Sequence, residues 1–298
     1  ELNIFAGGSG SGKSLVMMNI ALNWLQTGMS GVYVTLELSE ELTSLRTDAM
    51  LTNMGTRDIR KDIGSTELKV KMVGKKAGKY RVKGLPAQSN VNDIRAYLKE
   101  VQIQTGINID FVMIDYLDLV MPVSVKVNPN DQFIKDKYVA EELRNLAKEM
   151  GILMVTASQL NRSAVDEIEF DHSHIAGGIS KINTADNVFG IFTSRSMRER
   201  GKYQIQCMKS RSSTGVGMKI DLEYNIETMR ISDNGGDGDD SYKPQPSAID
   251  IMNKLKPQST LQSTEPIIDQ ATGEILEAEN KKVVVDVQGS KLKNLLNS

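Results

Sequence analysis

Gly7-Gly8-Ser9-Gly10-Ser11-Gly12-Lys13-Ser14 is the stretch that decides the fold. The octet fits the pattern G-x-x-x-x-G-K-[ST], and its surroundings fit too. Ile4-Phe5-Ala6 before it is a short apolar run with strand character, and residues 14–27 after it carry a helical pattern. Strand, glycine loop and helix in that order make a phosphate-binding loop. Glycines let backbone N–H groups turn inward around phosphates, and the following helix N-terminus favours negative charge. Gly7, Gly8, Ser9, Gly10, Ser11 and Gly12 form the cradle. Lys13 is placed to neutralise the outer phosphates and Ser14 to ligate Mg²⁺. A chance glycine-rich turn is the alternative, and the register of strand, loop, lysine and helix argues against it.

Working outward, short β-rich runs alternate with helical patterns over residues 1–232, the rhythm of a mostly parallel sheet flanked by helices. Gly31-Val-Tyr-Val-Thr-Leu36 reads as the second strand. Residues 39–53 read as a helix with Ser39 as N-cap and Glu40 and Glu41 in its first turn, where carboxylates suit the dipole. Tyr80-Arg-Val-Lys83 is a third strand and residues 91–105 a helix. Phe111-Val-Met-Ile-Asp115 is an apolar strand ending in a carboxylate, and residues 136–150 and 152–157 give a further helix and strand. Residues 188–231 read as strands with short turns, partly antiparallel. The fold class is α/β.

After Ser232 the composition changes. Asp233-Asn-Gly-Gly-Asp-Gly-Asp-Asp-Ser241 is acidic and glycine-rich, and the rest is rich in Pro, Gln, Ser, Lys and Glu. Residues 233–298 are therefore predicted to be a flexible, largely disordered tail to the 1–232 domain.

The 298 residues carry a net charge of −2, which excludes a strongly basic nucleic-acid binder but not a local basic lining. No apolar run is long enough to span a membrane. The single cysteine, Cys207, cannot build a disulfide framework, which suits a reducing cytoplasm. Glu1 leads straight into a strand with neither initiator Met nor signal peptide, so the chain reads as a fragment lacking its N-terminal part.

Several residues outside the octet can carry chemistry. Asp115 closes an apolar strand, where a Walker-B carboxylate sits beside magnesium; a turn cap is the alternative. Glu37 follows the second strand on the edge where ligands of open α/β folds collect. A carboxylate there can deprotonate water, and capping the next helix is the competing role, which Ser39 already fills. Gln159 follows the 152–157 strand and can hydrogen-bond a terminal phosphate, or serve structure alone. Lys209 and Arg211, one residue apart in a strand, share a face and can reach a neighbour's nucleotide, or remain a solvated pair. His172 and His174 lack further ligands for a metal, and Trp24 reads as packing.

In order, Gly7–Ser14, Thr35-Leu-Glu37-Leu, Val112-Met-Ile-Asp115-Tyr-Leu, Ser158-Gln159-Leu-Asn-Arg162 and Lys209-Ser-Arg211 resemble the RecA-like motor domain of hexameric replicative DNA helicases of the DnaB family, in the form carried by tailed phages. The resemblance covers residues 1–232. It implies ATP with Mg²⁺, Glu37 as the base, Asp115 as a magnesium holder, Gln159 as a phosphate sensor, and Arg211 with Lys209 acting in trans. It further implies a homo-hexameric ring on single-stranded DNA, primase and other replisome proteins as partners, and the cytoplasm of a bacterial host. DNA would be met by segments 120–133 and 161–182, with Arg162, Gly177, Gly178 and Lys181 as contacts. The segment 161–182 departs from the bacterial pattern, lacking the charged residues usual before its glycines. A filament-forming recombinase and a non-unwinding loader share the same core and stand as alternatives.

Overall fold

The computed structural model describes residues 1–128, 131–160 and 179–233. The chain divides into the units Glu1–Tyr242 and Lys243–Ser298, and all described residues belong to the first. Apart from Asp233, the expected tail lies outside the described residues.

Nine strands form one sheet: β1 (Leu2–Gly7), β2 (Gly31–Thr35), β3 (Tyr80–Gly84), β4 (Phe111–Asp115), β5 (Leu153–Gln159), β6 (Asn187–Phe192), β7 (Lys202–Ser210), β8 (Lys219–Tyr224) and β9 (Ile231–Asp233). Their order is β3-β2-β4-β5-β1-β6-β7-β8-β9. The first six in that order run parallel, and β7, β8 and β9 continue antiparallel. The mixed character expected beyond residue 188 is thus present.

The described helices are α1 (Lys13–Gln26), α2 (Glu40–Thr52), α3 (Thr56–Lys61), α4 (Ile63–Gly74), α5 (Val91–Thr105), α6 (Gln132–Met150), α7 (Ile179–Thr184) and α8 (Arg195–Glu199). β4 is buried along its whole length, which is why it reads as a continuous apolar run. Successive strand residues face opposite layers: Ile4, Val32 and Val112 join one core with α5 and α6, whereas Phe5, Tyr33 and Met113 join the other with α1. Trp24 packs edge-on against Phe111 at 5.2 Å, the packing role expected of it.

Some details differ from the sequence reading, including helix α8 within a stretch read as strands with short turns. Helix α6 starts four residues early, because Asp131 accepts a bond from the Ile134 N–H and caps it. Helices α3 and α4 carry no apolar stripe to announce them, with Ile59 and Thr66 their only buried residues.

Register defines the two ends of the sheet. Gly7 pairs with Gln159 and with Ile191, and Thr35 pairs with Asp115. The glycine loop, Gln159, Asp115 and the turn carrying Glu37 therefore gather at one edge. At the other edge Asn3 pairs with Asn187, and Asn187 with Ser210. Asp186 anchors that far edge. Its carboxylate accepts the Leu2 N–H at 2.9 Å and a forked pair from Arg144, with Arg211 Nη1 at 3.1 Å. Burial pushes its pKa up, but these hydrogen bonds and the two guanidinium charges outweigh it and bring the value to about 2. Asp186→Asn is expected to cost about 1.5–3 kcal/mol of stability at pH 7, read by urea denaturation. The wild-type advantage is complete above the unfolded-state pKa of about 3.9 and is lost as pH falls through about 2. The gap between the two proteins should therefore stay level at neutral pH and narrow in acid; a gap that widens in acid contradicts this.

Candidate active site

β1 ends at Gly7, and the chain turns through residues 8–12 into α1, with Ser11 N–H bonding the Gly8 carbonyl at 3.1 Å. Side chains would block this turn. A Cβ on Gly7 would lie 2.3 Å from Ser11 Oγ, and one on Gly12 2.3 Å from Tyr203 Oη. Gly12 also has φ +86°, a conformation that glycine alone adopts freely. Lys13 Nζ lies along the loop, donating to the carbonyls of Gly7 at 3.1 Å and Gly8 at 2.9 Å. Burial lowers its pKa, and the charges of Asp118, Glu37 and Asp115 oppose that shift.

Asp115, at the end of β4, is 1% exposed. Tyr33 Oη donates to its Oδ2 at 2.8 Å, and the Ser14 hydroxyl lies close to the same carboxylate. Burial raises the Asp115 pKa, the nearby Glu37 charge adds to this, and the two hydroxyls and Lys13 oppose it. Tyr33 is the residue that sequence reasoning passed over here, since in the β2 pattern it is one more apolar strand residue. A cis peptide joins Asp115 to Tyr116.

A cleft of about 310 Å³ opens beside these groups. Ser9, Gly10, Gly12, Lys13 and Ser14 form one wall, and Glu37, Leu38, Arg46, Tyr116 and Gln159 complete it. Glu37 is exposed there. Arg46 enters from α2, and nothing in the local sequence marks it, because only the crossing of α2 over the sheet edge brings it in. Arg198 on α8 was also unforeseen; its Nη1 donates to the Gly10 carbonyl.

A triphosphate and a hard divalent cation suit this set. Ser11 Oγ is buried in the loop without a hydrogen-bond partner. Ser14 and Asp115 offer oxygen donors side by side. Among the described residues no cluster of three or more His, Cys, Asp or Glu could hold a metal alone. Magnesium needs no such cluster, since it keeps waters and takes one or two protein oxygens together with phosphate.

Comparison with known proteins gives the family. The profile described as "DnaB-like helicase C terminal domain" matches residues 1–233. The chain belongs to this family. A DnaB-like replicative helicase of Enterobacteria phage T4 is 28% identical over 216 residues, covering 70% of this chain and 46% of that protein. The chain thus spans about half the length of that relative. Among solved structures, a DnaB-like replicative helicase studied with its primase interactions superposes with a TM-score of 0.65 at 17% identity, covering 78% of this chain and 57% of the other. An ATPase domain superposes equally well, at TM-score 0.65 and 16% identity, covering 78% and 84%. At such identity these two likenesses bear on the fold alone.

Within the DnaB-like domain, the expected site residues fall into four groups. The glycine loop, Lys13, Ser14, Glu37, Asp115 and Gln159 come together at the cleft. Lys209 and Arg211 lie at the far edge and turn back on their own chain. Lys209 Nζ donates to the carbonyls of Ile182, Asn183 and Ala185 at the end of α7, and Arg211 bonds Asp186 and the Asn183 carbonyl. The expectation for Lys181 is corrected. Its side chain is fully buried and ion-paired with Asp118 and Asp136, so its charge is neutralised inside the protein and cannot meet DNA phosphates. Arg162, Gly177, Gly178, His172 and His174 lie outside the described residues.

Proposed function

We propose that this domain is the ATP-hydrolysing motor of a replicative DNA helicase, acting as a ring of six copies on single-stranded DNA. The observation that carries the proposal is the separation of the cleft from the Lys209-Ser-Arg211 pair. Gly7 and Asn3 lie at opposite ends of β1, about 13 Å apart at strand rise, and β7 stands two strands further across. Arg211 therefore serves a neighbouring copy's cleft and not its own. A ring of copies satisfies every cleft, whereas an isolated copy leaves each one incomplete.

The chain's own groups divide the work. The loop amides and Lys13 hold and orient the phosphates. Ser14 and Asp115 would hold Mg²⁺, which would supply charge neutralisation when bound. Glu37 takes the proton of the attacking water. Gln159 reports whether the terminal phosphate is present, and the neighbour's Arg211 stabilises the charge spread over it during transfer. Lys209, bound to three carbonyls, steadies α7 beside Arg211.

DNA contact is proposed for segments 120–133 and 161–182, with Arg162, Gly177 and Gly178 as candidate phosphate contacts. Residues 1–232 form the motor and 233–298 a separate tail. Primase is the proposed partner within a replisome in the bacterial cytoplasm, following the relative studied with primase. Among the described residues no helix is long and apolar enough to cross a membrane. Forked DNA with either a 5′ or a 3′ tail tests the reading on the full-length protein. ATP-dependent strand separation from the 5′ tail is expected. Filaments on DNA without unwinding would indicate a recombinase, and hydrolysis with neither would indicate a loader.

A further inference from the structure

A buried polar centre lies beside the cleft, made of residues the proposed mechanism does not use. Lys181 on α7 is fully buried, with its ammonium 2.5 Å from Asp118 Oδ1, 2.6 Å from Asp136 Oδ2 and 3.0 Å from Ser158 Oγ. Asp136 on α6 is also fully buried and lies 3.4 Å from Lys135 Nζ. Lys135 in turn donates to the Asp118 carbonyl. Two ammonium groups and two carboxylates thus neutralise one another, Lys181 and Asp136 fully shielded from water and Lys135 and Asp118 nearly so. Burying such a set carries a large desolvation cost, and apolar side chains of the same volume usually serve stability as well or better. Stability alone does not account for it.

What the centre controls is Asp118. This residue sits in the 3₁₀ turn Leu117–Leu119, just after β4. Its Oδ1 takes the Lys181 ammonium, and its Oδ2 accepts the backbone N–H of Gln159 at 3.1 Å. One carboxylate therefore joins α7 to the end of β5 that presents Gln159 to the cleft. The same helix receives Lys209 and Arg211 at its other end.

We propose that Lys181 is a positioning residue for Gln159: by clamping Asp118 it sets where the Gln159 side chain meets the terminal phosphate. This rests on Gln159 being the phosphate sensor. The clamp joins the group that reads one nucleotide to the helix beside the arginine that serves the next. Coupling of this kind needs a contiguous packed path, and one runs from Gln159 through Asp118 and Lys181 into α7, whose far end bonds Arg211.

Steady-state hydrolysis on saturating single-stranded DNA, binding of a fluorescent ATP analogue and thermal midpoints test this on the full-length protein. Lys181→Met should lower kcat about tenfold or more, because small displacements of a positioned group cost rate steeply, while KM and analogue binding change by less than about twofold. Lys181→Met with Asp136→Leu removes both members of a buried pair. This double variant should regain thermal stability yet keep the low kcat. Adding Lys181→Met to Gln159→Ala should lower turnover no further than Gln159→Ala alone. If the Lys181/Asp136 double variant regains kcat along with stability, Lys181 is only structural and the proposal falls. A slow Gln159→Ala beside a normal Lys181→Met overturns this proposal alone. Normal turnover in Gln159→Ala overturns the sensor reading and this proposal together.

Discussion

Arg211→Ala is expected to lower DNA-stimulated ATP hydrolysis by about 10³–10⁵, the contribution of an arginine finger, with ATP binding changed by less than about twofold. The size follows from position. Arg211 leaves β7 at the edge of the sheet opposite the glycine loop, so its removal takes nothing from its own cleft. Its side chain is 42% exposed and is held by Asp186 and the Asn183 carbonyl. Swinging outward leaves Asp186 still satisfied by Arg144 and the Leu2 N–H. Arg211 is itself open to water and Asp186 keeps its other partners, so release is cheap and the variant should melt within a few degrees of the parent. Lost turnover with unchanged melting and unchanged nucleotide binding separates a group that acts in trans from one that merely supports the fold.

Glu37→Gln is expected to lower kcat by about 10²–10⁴, the usual contribution of a positioned base, while binding of ATP persists. Glu37 follows β2 on the exposed side of the cleft and faces the wall formed by Lys13 and Ser14. The competing role, capping α2, is already filled, because Ser39 Oγ accepts the Leu42 N–H at 3.2 Å. The amide keeps the shape of the side chain and removes only its basicity. Single-turnover hydrolysis with matched binding measurements checks this, and a variant hydrolysing within about threefold of the parent would remove Glu37 from the base role.

The cleft was legible in the sequence where its chemistry is local. Gly7–Ser14 is one contiguous turn, and Asp115 and Gln159 each end a strand whose apolar character marks it as buried. Parallel pairing then brings such strand ends to one edge without further information. Contacts between elements distant in sequence were not legible. Tyr33 meets Asp115 across 82 residues, and Arg198 meets Gly10 across 188. Lys181 shows the same limit. Between Ser180 and Ile182 it looks like any surface lysine, and only the packing of α7 against α6 and the 3₁₀ turn removes it from water. One signal did point to it. Asp136 stands in register with Val139, Ala140 and Leu143 on the buried face of α6, and a carboxylate there needs an internal cation. Helices α3 and α4 were missed for the opposite reason: they bury so little that no periodicity develops.

The proposed sharing of the active site between copies is tested most directly by mixing two variants expected to be inactive, Lys13→Ala and Arg211→Ala. Each lacks a different half of the site. In mixed rings, an Arg211→Ala copy with its intact glycine loop can sit beside a Lys13→Ala copy that still carries Arg211. The account predicts that the mixture hydrolyses ATP on single-stranded DNA although neither protein does so alone. No activity at any mixing ratio, in rings shown to exchange subunits, would contradict it and would return Arg211 to a role within its own chain.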